Sequence, residues 1–354
     1  MTLRGRRVLV TGATGFIGGR LIEKLCLEHG AVIRALVRDI PRAARIARFP
    51  VEFVRGDVTH EDTVRRAVEG MDVVFHCVHG NRRGTAQAVN VDGAEMVAQQ
   101  VLRSGISRLV HVSTMAVYGH PAKGEITETT AHEGTGDLYT QTKREGERRV
   151  MELHRRKGLA AVVIQPTCVY GPWGLAFTID PLRELRTRSV ALVDGGRGLF
   201  PGVYIDDLVD ALVLAATDPA AIGETFLISG AEPVTFRRYY GAFEAMLGRT
   251  STICMTADEI RDYARAEAAG QQSRDRLRAQ LSADGIACSK AEYATPFRIP
   301  SEHVLRFYSS TARYSIAKAQ SMLGYRPAFD FDRGMQITKE WAQWAELIPG
   351  TTAQ

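Results

Sequence analysis

The sequence predicts an α/β protein with a doubly wound parallel sheet and a smaller C-terminal lobe. Short apolar runs rich in β-branched residues alternate with helical patterns through the first two thirds of the 354 residues. Such alternation is typical of a parallel sheet covered by helices on both faces. A glycine-rich turn follows the first apolar run directly, and the alternation weakens after Pro166. We therefore expect a single large α/β unit with an attached lobe.

The first predicted strand covers residues 8–10, and Gly12, Gly15 and Gly18 follow it in the spacing G-x-x-G-x-x-G. A helical pattern begins at once, near 16–29. Glycine permits the tight strand-to-helix turn and lets the backbone approach a phosphate closely. The N-terminus of the helix then offers free N–H groups and a partial positive charge to a pyrophosphate. Between a first strand and a helix, these glycines predict a Rossmann-type dinucleotide site.

The following elements continue the alternation in chain order. We expect further strands over 32–37, 51–54, 73–77, 108–113, 161–166 and 225–229, and helices near 61–68, 93–104, 139–157 and 181–188. Residues 203–216 predict a strand end that runs into a helix. Ligands of such sheets bind at the carboxyl ends of the strands. The functional residues should therefore lie at that edge.

The domain boundaries are expected as follows. Residues 1–168 form the dinucleotide-binding core, to which 203–230 return, and residues 169–202 and 231–354 form the substrate-binding lobe. Residues 256–280 are charged and alanine-rich. We interpret them as an exposed helix, the alternative being a mobile excursion.

The composition is that of an ordinary globular protein, with 45% hydrophobic and 24% charged residues and a net charge of +5. No block of like charges predicts a nucleic-acid partner, and no apolar run approaches the roughly twenty residues of a membrane span. The five cysteines lack metal-type spacing, which predicts reduced thiols, no metal site and a cytoplasmic location.

Tyr139 and Lys143 form the pattern Y-x-x-x-K in the predicted helix near 139–157. Positions four residues apart lie on one face of a helix. An ammonium beside a phenol stabilises the phenolate and lowers a pKa that is normally about 10. A phenol tuned in this way can exchange a proton with a carbonyl or hydroxyl oxygen near neutral pH. The pair therefore predicts acid/base catalysis rather than a surface contact.

The glycine spacing, together with Tyr139 and Lys143, resembles the short-chain dehydrogenase/reductase superfamily. Residues 11–18 are similar to the extended branch of NAD(P)-dependent epimerases and dehydratases, and residues 323–327 resemble that branch's near-terminal turn. The resemblance implies that Thr114 holds the substrate oxygen at the end of a buried strand, with Ser113 supporting the strand. It also implies a homodimer through the helices that begin near 93 and 139.

The chain departs from the family's pattern after Thr114. The sugar 4,6-dehydratases of the family have two carboxyl residues there, and its decarboxylases keep the second of them. This chain has Met115 and Ala116, which cannot transfer protons. We therefore expect oxidation, reduction or epimerisation, and neither dehydration nor decarboxylation by those mechanisms.

The cofactor preference depends on the end of the second strand. In NAD enzymes of this fold an acidic side chain holds the ribose hydroxyls at this place. Here Val37 occupies the position and Arg38 follows, a residue that can hold a 2′-phosphate. We expect NADP(H), while Asp39 keeps NAD(H) possible.

Other cofactor contacts follow from the resemblance. Asp57 and Val58 match the adenine-contacting turn, Asn90 matches a position near the catalytic residues, and Pro166 and Val169 belong to the segment beside the nicotinamide. The expected catalytic residues are Thr114, Tyr139 and Lys143. The expected cofactor-binding residues are Gly12, Thr14, Gly15, Phe16, Ile17, Gly18, Arg38, Asp57, Val58, Asn90, Ser113, Tyr139, Lys143, Pro166 and Val169.

We expect a small-molecule substrate. Its chemical class is inferred from a further position at which this chain differs from the family's pattern. Family members that act on nucleotide sugars place an arginine where this chain has Phe200. An apolar residue suits a less charged ketone, although Arg183, Arg186 or Arg197 could meet a phosphate from another direction. Three hypotheses follow: an oxidoreductase acting on a secondary alcohol or ketone of a sugar or secondary metabolite, an epimerase that retains its dinucleotide, and a non-catalytic dinucleotide sensor. The complete set of reactive residues argues against the sensor.

Overall fold

The structure is a computed structural model that describes residues 2–80, 84–132, 137–283 and 298–349. The strands in chain order are β1 (Arg7–Thr11), β2 (Val32–Val37), β3 (Val51–Arg55), β4 (Val73–His76), β5 (Arg108–Val112), β6 (Glu125–Ile126), β7 (Ala161–Pro166), β8 (Cys168–Tyr170), β9 (Val190–Val193), β10 (Leu199–Phe200), β11 (Gly202–Tyr204), β12 (Thr225–Ile228), β13 (Val234–Thr235), β14 (Thr252–Met255) and β15 (Arg313–Tyr314). The helices are α1 (Phe16–Leu27), α2 (Glu61–Val68), α3 (Gly93–Arg103), α4 (Leu138–Lys157), α5 (Asp180–Thr187), α6 (Ile205–Thr217), α7 (Phe236–Leu247), α8 (Ala257–Ala283), α9 (Glu302–Ser309), α10 (Ala317–Leu323) and α11 (Phe331–Trp344).

The central sheet of the described chain has seven strands in the order β12-β7-β5-β4-β1-β2-β3. Every neighbouring pair in it is parallel, and Val10 of β1 faces Ala35 of β2 on one side and Phe75 of β4 on the other. The strand order reverses direction between β1 and β4. In open sheets of this kind, the crevice at the reversal is where ligands bind.

Helices cover both faces of the sheet because successive strand residues point to opposite sides. Val10, Phe75 and Val110 are buried in one apolar core, which α1 and α6 also enter. Leu9, Val74 and Leu109 belong to a second core, which α2, α3 and α4 complete. The doubly wound α/β fold predicted from the sequence is confirmed.

Element boundaries follow the expectations closely. Residues 161–166 form β7 as expected, whereas β4 ends at His76 and β5 at Val112, each one residue earlier than expected. Residues 257–283 form the expected helix α8. β12 joins the central sheet, but β11 pairs with β8 in a separate two-stranded sheet. The domain boundaries themselves stay a prediction, and Cys288 lies outside the described residues.

The C-terminal lobe has an aromatic core of its own. Phe200 is fully buried, and its ring stacks on Tyr239 with centroids 3.9 Å apart. Phe236 packs edge-on against Phe200 and against Tyr308 of α9. Short strand pairs, β9 with β14 and β10 with β13, frame this cluster. No helix in the described part of the chain is long and apolar enough to cross a membrane.

Candidate active site

The glycine loop joins β1 to α1 at the reversal point of the sheet. Gly12 has φ of +71°, and a β-carbon on it would lie 2.7 Å from the backbone carbonyl of Cys77, just past the end of β4. A β-carbon on Gly18 would lie 2.4 Å from the carbonyl oxygen of Gly12. Real β-carbons do not make such contacts, so glycine is required at both positions. The turn therefore holds the start of α1 against the carboxyl ends of β1 and β4.

The start of α1 has the features of an anion site. Helix geometry leaves the first N–H groups without partners inside the helix and gives that end a partial positive charge. Gly15 is the N-cap residue without a capping side chain, and the first turn contains no acidic residue. Thr14 and Gly15 are exposed, while Phe16 and Ile17 are half-buried. These residues fit the pyrophosphate of a dinucleotide.

A cleft of about 280 Å³ opens beside the loop and is lined by Thr14, Arg38, Asp39 and Arg42. Nη1 of Arg38 lies 3.6 Å from Oδ2 of Asp57, and 69% of the arginine side chain is exposed. Two guanidinium groups thus border a cleft that contains one carboxylate. Arg42 was not predicted as a site residue, although it lies only four positions after Arg38.

Asp57 has two functions that the structure separates. Its Oδ1 accepts hydrogen bonds of 3.0 Å from both the N–H and the hydroxyl of Thr59, which builds the turn before α2. Its Oδ2 faces Arg38. Val58 is buried in the core that α2 and α3 share. Only the backbone of Val58 is therefore suited to meet a ligand.

Asn90 is buried and links the loop after β4 to α4. Its Oδ1 accepts from the N–H of Gly80 at 2.7 Å, and its Nδ2 donates to the carbonyl of Gly80 at 2.7 Å and to Oγ1 of Thr142 at 2.9 Å. Both amide hydrogens are thus used within the protein. In this arrangement Asn90 positions the loop at the carboxyl edge of the sheet.

The structure brings Thr114 and Tyr139 together at the carboxyl end of β5. The phenol of Tyr139 lies close enough to the hydroxyl of Thr114 for that hydroxyl to lower the pKa of the phenol. Oγ1 of Thr114 also accepts from the N–H of Ala116 at 3.2 Å, which caps a short 3₁₀ turn over Met115–Tyr118. Ser113 points elsewhere, into a buried bond with Glu147. The hydroxyl next to the phenol is therefore that of Thr114.

Lys143 is buried, with 2% of its surface exposed, and its Nζ donates to the carbonyl of Val112 at 2.6 Å. Burial lowers the pKa of Lys143 from 10.5 to about 8, an effect that the charge of Glu147 opposes. The amine is thus mostly an ammonium at pH 7. The amine thus lies at the end of β5, because its partner Val112 is the last residue of that strand and comes two residues before Thr114.

The expected lowering of the Tyr139 pKa is not found. Burial raises that pKa, the nearby hydroxyl of Thr114 opposes the rise, and the charge of Asp137 adds to it. The ammonium of Lys143 is directed to the Val112 carbonyl. Helical spacing correctly puts both residues on one face, but it does not fix where the long lysine side chain ends.

The segment after β7 completes this edge of the site. Pro166 is the last residue of β7 and faces Ile228 of β12, while Val169 lies in β8 beside Val203. Val169 is half-buried, and Cys168 is fully buried, with its thiol pKa raised well above the usual value by burial. Cys168 is therefore suited to packing and not to nucleophilic attack.

Residues near Tyr139 and Lys143 were missed in the sequence. The ring of His79 meets that of Tyr139 edge-on, with centroids 6.3 Å apart. Glu147 lies one turn after Lys143 and is buried. Glu147 could have been found in the sequence, because Tyr139, Lys143 and Glu147 follow one another at a spacing of four residues. In the described ranges, no three His, Cys, Asp or Glu side chains converge in a way that could hold a metal ion.

The doubly wound sheet and the glycine loop at its reversal point are those of a dinucleotide-binding α/β protein. Residues 8–229 match the model of the NAD dependent epimerase/dehydratase family, and the chain belongs to that family. Members of the family are NAD-dependent oxidoreductases and epimerases.

Similar proteins within this family differ in activity. A 4-hydroxy-2-methyl-3-oxo-4-farnesyl-3,4-dihydroquinoline-1-oxide ketoreductase of Stigmatella aurantiaca is 28% identical over 239 residues, which cover 66% of this chain and 71% of that protein. The decarboxylating sterol-4-alpha-carboxylate 3-dehydrogenase of Candida albicans is 26% identical, with 94% of this chain and 97% of that protein covered. The structure of the dTDP-glucose 4,6-dehydratase DesIV from Streptomyces venezuelae, with NAD and TYD bound, superposes with a TM-score of 0.73 at 21% identity, covering 96% of this chain and 97% of that one.

These proteins include a decarboxylating enzyme and a dehydratase. Family membership therefore does not support the exclusion of those two reactions that Met115 and Ala116 predicted. The exclusion stays a hypothesis about this particular chain.

Proposed function

We propose that this protein is an NADP(H)-dependent oxidoreductase that interconverts a ketone and a secondary alcohol. The observation that carries the proposal is that Tyr139, the hydroxyl of Thr114 and the buried amine of Lys143 lie together at the carboxyl end of β5. A non-catalytic sensor has no need for a proton donor and an oxygen-holding hydroxyl side by side.

The roles of the residues follow from their chemistry. The nicotinamide ring supplies or accepts a hydride when the dinucleotide is bound. In the reductive direction Tyr139 donates its phenolic proton to the substrate oxygen, and Thr114 donates a hydrogen bond to the same oxygen. Lys143, whose pKa of about 8 leaves it charged at pH 7, supplies a positive charge one helical turn from the phenol. In the oxidative direction the phenolate of Tyr139 takes the proton back.

The preference for NADP(H) rests on the cleft beside the glycine loop. Arg38 and Arg42 line this cleft with Asp39, and a guanidinium binds a phosphate through two parallel hydrogen bonds. No acidic residue ends β2, since Val37 is its last residue. An NAD(H) enzyme would instead use Asp39 to hold the ribose hydroxyls.

An apolar ketone is the substrate class that the lobe favours. Phe200, at the position where nucleotide-sugar enzymes place an arginine, is fully buried in the aromatic core and cannot be exchanged for a charged group without disrupting it. Met115 and Ala116 supply no proton carrier for dehydration or decarboxylation. The named activities of the ketoreductase and the sterol dehydrogenase also concern largely apolar molecules.

The test is a turnover assay with NADPH and NADH against a panel of apolar cyclic ketones and nucleotide sugars. We expect stoichiometric NADPH oxidation with a member of the first group, and loss of that turnover in Tyr139→Phe. Interconversion of a nucleotide sugar without net NADPH consumption, together with dinucleotide released only on denaturation, would instead indicate an epimerase. Binding without any turnover would indicate a sensor.

The homodimer is part of the same proposal. α3 and α4 pack side by side and are joined by an ion pair of 2.6 Å between Arg149 and Glu95, and we propose that this helix pair is where a second copy binds. Light scattering at micromolar concentration would test this, and a monomer at every concentration would contradict it.

A further inference from the structure

A buried carboxylate lies directly behind the proposed catalytic residues. Glu147, on the same helix as Tyr139 and Lys143, has 8% of its surface exposed. Its Oε2 accepts the hydroxyl of Ser113 at 2.6 Å, and its two oxygens accept from Nε2 of Gln165 at 3.0 and 3.1 Å. All of these bonds are donated to Glu147, which is the pattern of an ionised carboxylate.

The network that Glu147 organises surrounds Thr114 on both sides along the chain. Ser113 comes directly before Thr114, and its N–H donates to the carbonyl of Ile164 at 2.7 Å. Oε1 of Gln165 accepts the phenol of Tyr118, which ends the 3₁₀ turn after Thr114, at 2.6 Å. The ends of β5 and β7 thus bond the carboxylate directly, and the 3₁₀ turn is joined to it through Gln165. Such a satisfied buried network restricts its members to a single geometry.

Glu147 is also the source of negative charge for Lys143. The titratable groups whose charges act with Lys143 are His76 and His111 on β4 and β5, Cys77 and His79 in the loop after β4, and Glu147 on α4. Burial, and then the ammonium of Lys143, lower the pKa of all three histidines, and burial raises the pKa of Cys77 to about 12. These four groups are therefore neutral at pH 7.

Two further groups face Glu147 itself. Burial raises the pKa of Tyr118 and lowers that of His132, so neither contributes a charge at neutral pH. Three other charged groups act on neighbouring members of the site, namely Asp137 on Tyr139, Glu128 on Tyr118 and Arg144 on His132. The charge that favours the ammonium of Lys143 itself is the Glu147 carboxylate. Lys143 and Glu147 interact through their charges and not through a hydrogen bond, since the Nζ of Lys143 donates to the carbonyl of Val112.

We propose that Glu147 is a positioning residue that keeps Lys143 in its ammonium form and fixes the strand end that presents Thr114. This role rests on the proposed function, because it acts through the proposed proton donor. It assigns the charge effect to the carboxylate of Glu147 and the geometric effect to its bond with Ser113. The two effects can be separated by mutation.

The experiment compares Glu147→Gln with Ser113→Ala and measures kcat against pH with NADPH and a ketone that the wild type reduces. A nearby opposite charge shifts a pKa by about 1–3 units. Because Glu147→Gln removes that charge, the basic limb of the profile should move to lower pH by about one unit. Ser113→Ala keeps the charge, so its limb should stay in place while kcat falls. Equal losses at every pH in Glu147→Gln would overturn the proposal.

A second measurement does not use activity. Above the folded-state pKa of Lys143, the midpoint of unfolding rises with pH because the folded protein loses the proton before the unfolded chain does. In Glu147→Gln, the pH at which this rise begins should be lower by about one unit. Lys143→Met, which lacks this rise, is the reference. An unchanged onset in Glu147→Gln would overturn the charge effect.

Should Glu147→Gln fail to fold, Glu147→Asp keeps the charge but shortens the side chain. Its basic limb should stay in place with kcat reduced, and a limb displaced by a full pH unit would overturn the proposal. Tyr139→Phe is measured alongside. If Tyr139→Phe keeps its turnover, the proposed function is wrong. If it is inactive while Glu147→Gln keeps the wild-type limb, only the role of Glu147 is wrong.

Discussion

Replacing Lys143 by Met should stabilise the protein near neutral pH and remove its activity. The pKa of Lys143 falls from 10.5 to about 8 on folding because the amine is buried. A pKa difference of one unit corresponds to about 1.4 kcal/mol. Holding the ammonium in the folded protein at pH 7 therefore costs about 3 kcal/mol. Methionine has a similar length and carries no charge.

The gain is offset by the hydrogen bond that the substitution removes. The carbonyl of Val112 loses its donor at 2.6 Å, and an unsatisfied buried acceptor costs about 1–3 kcal/mol. The net change at pH 7 is thus between neutral and about 2 kcal/mol of stabilisation. The offset does not depend on pH, so the pH dependence isolates the charge effect.

The sign of this dependence follows from the lowered pKa. The penalty is complete below pH about 8 and disappears as the pH rises toward 10.5, where the unfolded chain also loses the proton. At pH 9.5 it should be about 1 kcal/mol. The advantage of Lys143→Met over the wild type should therefore shrink by about 2 kcal/mol between pH 7 and pH 9.5.

Urea unfolding followed by far-ultraviolet circular dichroism measures this difference at both pH values. Lys157→Met, at the exposed end of the same helix, is the matched control for the loss of one lysine. Turnover of Lys143→Met should fall by a factor of about 10²–10⁴, the usual contribution of acid/base catalysis. A stability difference that is the same at pH 7 and pH 9.5 would refute the description of Lys143 as a buried ammonium.

Three further substitutions test the cofactor site and its support. Arg38→Ala should weaken NADPH binding by about 1.5–3 kcal/mol, or roughly ten- to a hundredfold, and NADH binding much less; equal losses in a titration of both would contradict a 2′-phosphate contact. Gly18→Ala places a β-carbon 2.4 Å from the Gly12 carbonyl, so calorimetry should detect little or no dinucleotide binding by a protein that still folds. Asn90→Ala removes three hydrogen bonds and should lower the free energy of unfolding by about 1–3 kcal/mol, whereas unchanged stability would show that Asn90 does not hold the loop.

Much of the fold could be predicted because its signals are local. Short continuous apolar runs, helical periodicity and the spacing of Gly12, Gly15 and Gly18 all act within about twenty residues. Their geometric reasons are visible in the structure, where β-carbons on Gly12 and Gly18 would collide with neighbouring backbone. The pairing of β11 with β8 outside the central sheet was not predictable in this way, because it depends on how the lobe packs.

The candidate site was only partly predictable, since its contacts join distant parts of the chain. Phe200 was noted as a departure, but only the structure shows it stacked on Tyr239 in the core of the lobe. Arg42 could have been found from its spacing after Arg38. The loop residue His79 meets Tyr139 across sixty positions of sequence, and no local pattern indicates such a contact.

The pKa of Tyr139 shows most clearly where local reasoning ends. Spacing of four residues places the backbone positions of Tyr139 and Lys143 one helical turn apart, and that much is dictated by the helix. The direction of the pKa shift depends instead on burial and on the hydroxyl of Thr114, while the lysine Nζ is directed to a strand carbonyl. Each of these comes from the packing of β5 against α4. Burial disfavours the charged forms of both Tyr139 and Lys143. The site therefore needs an anion nearby to keep the ammonium of Lys143, and the buried carboxylate of Glu147 is that anion.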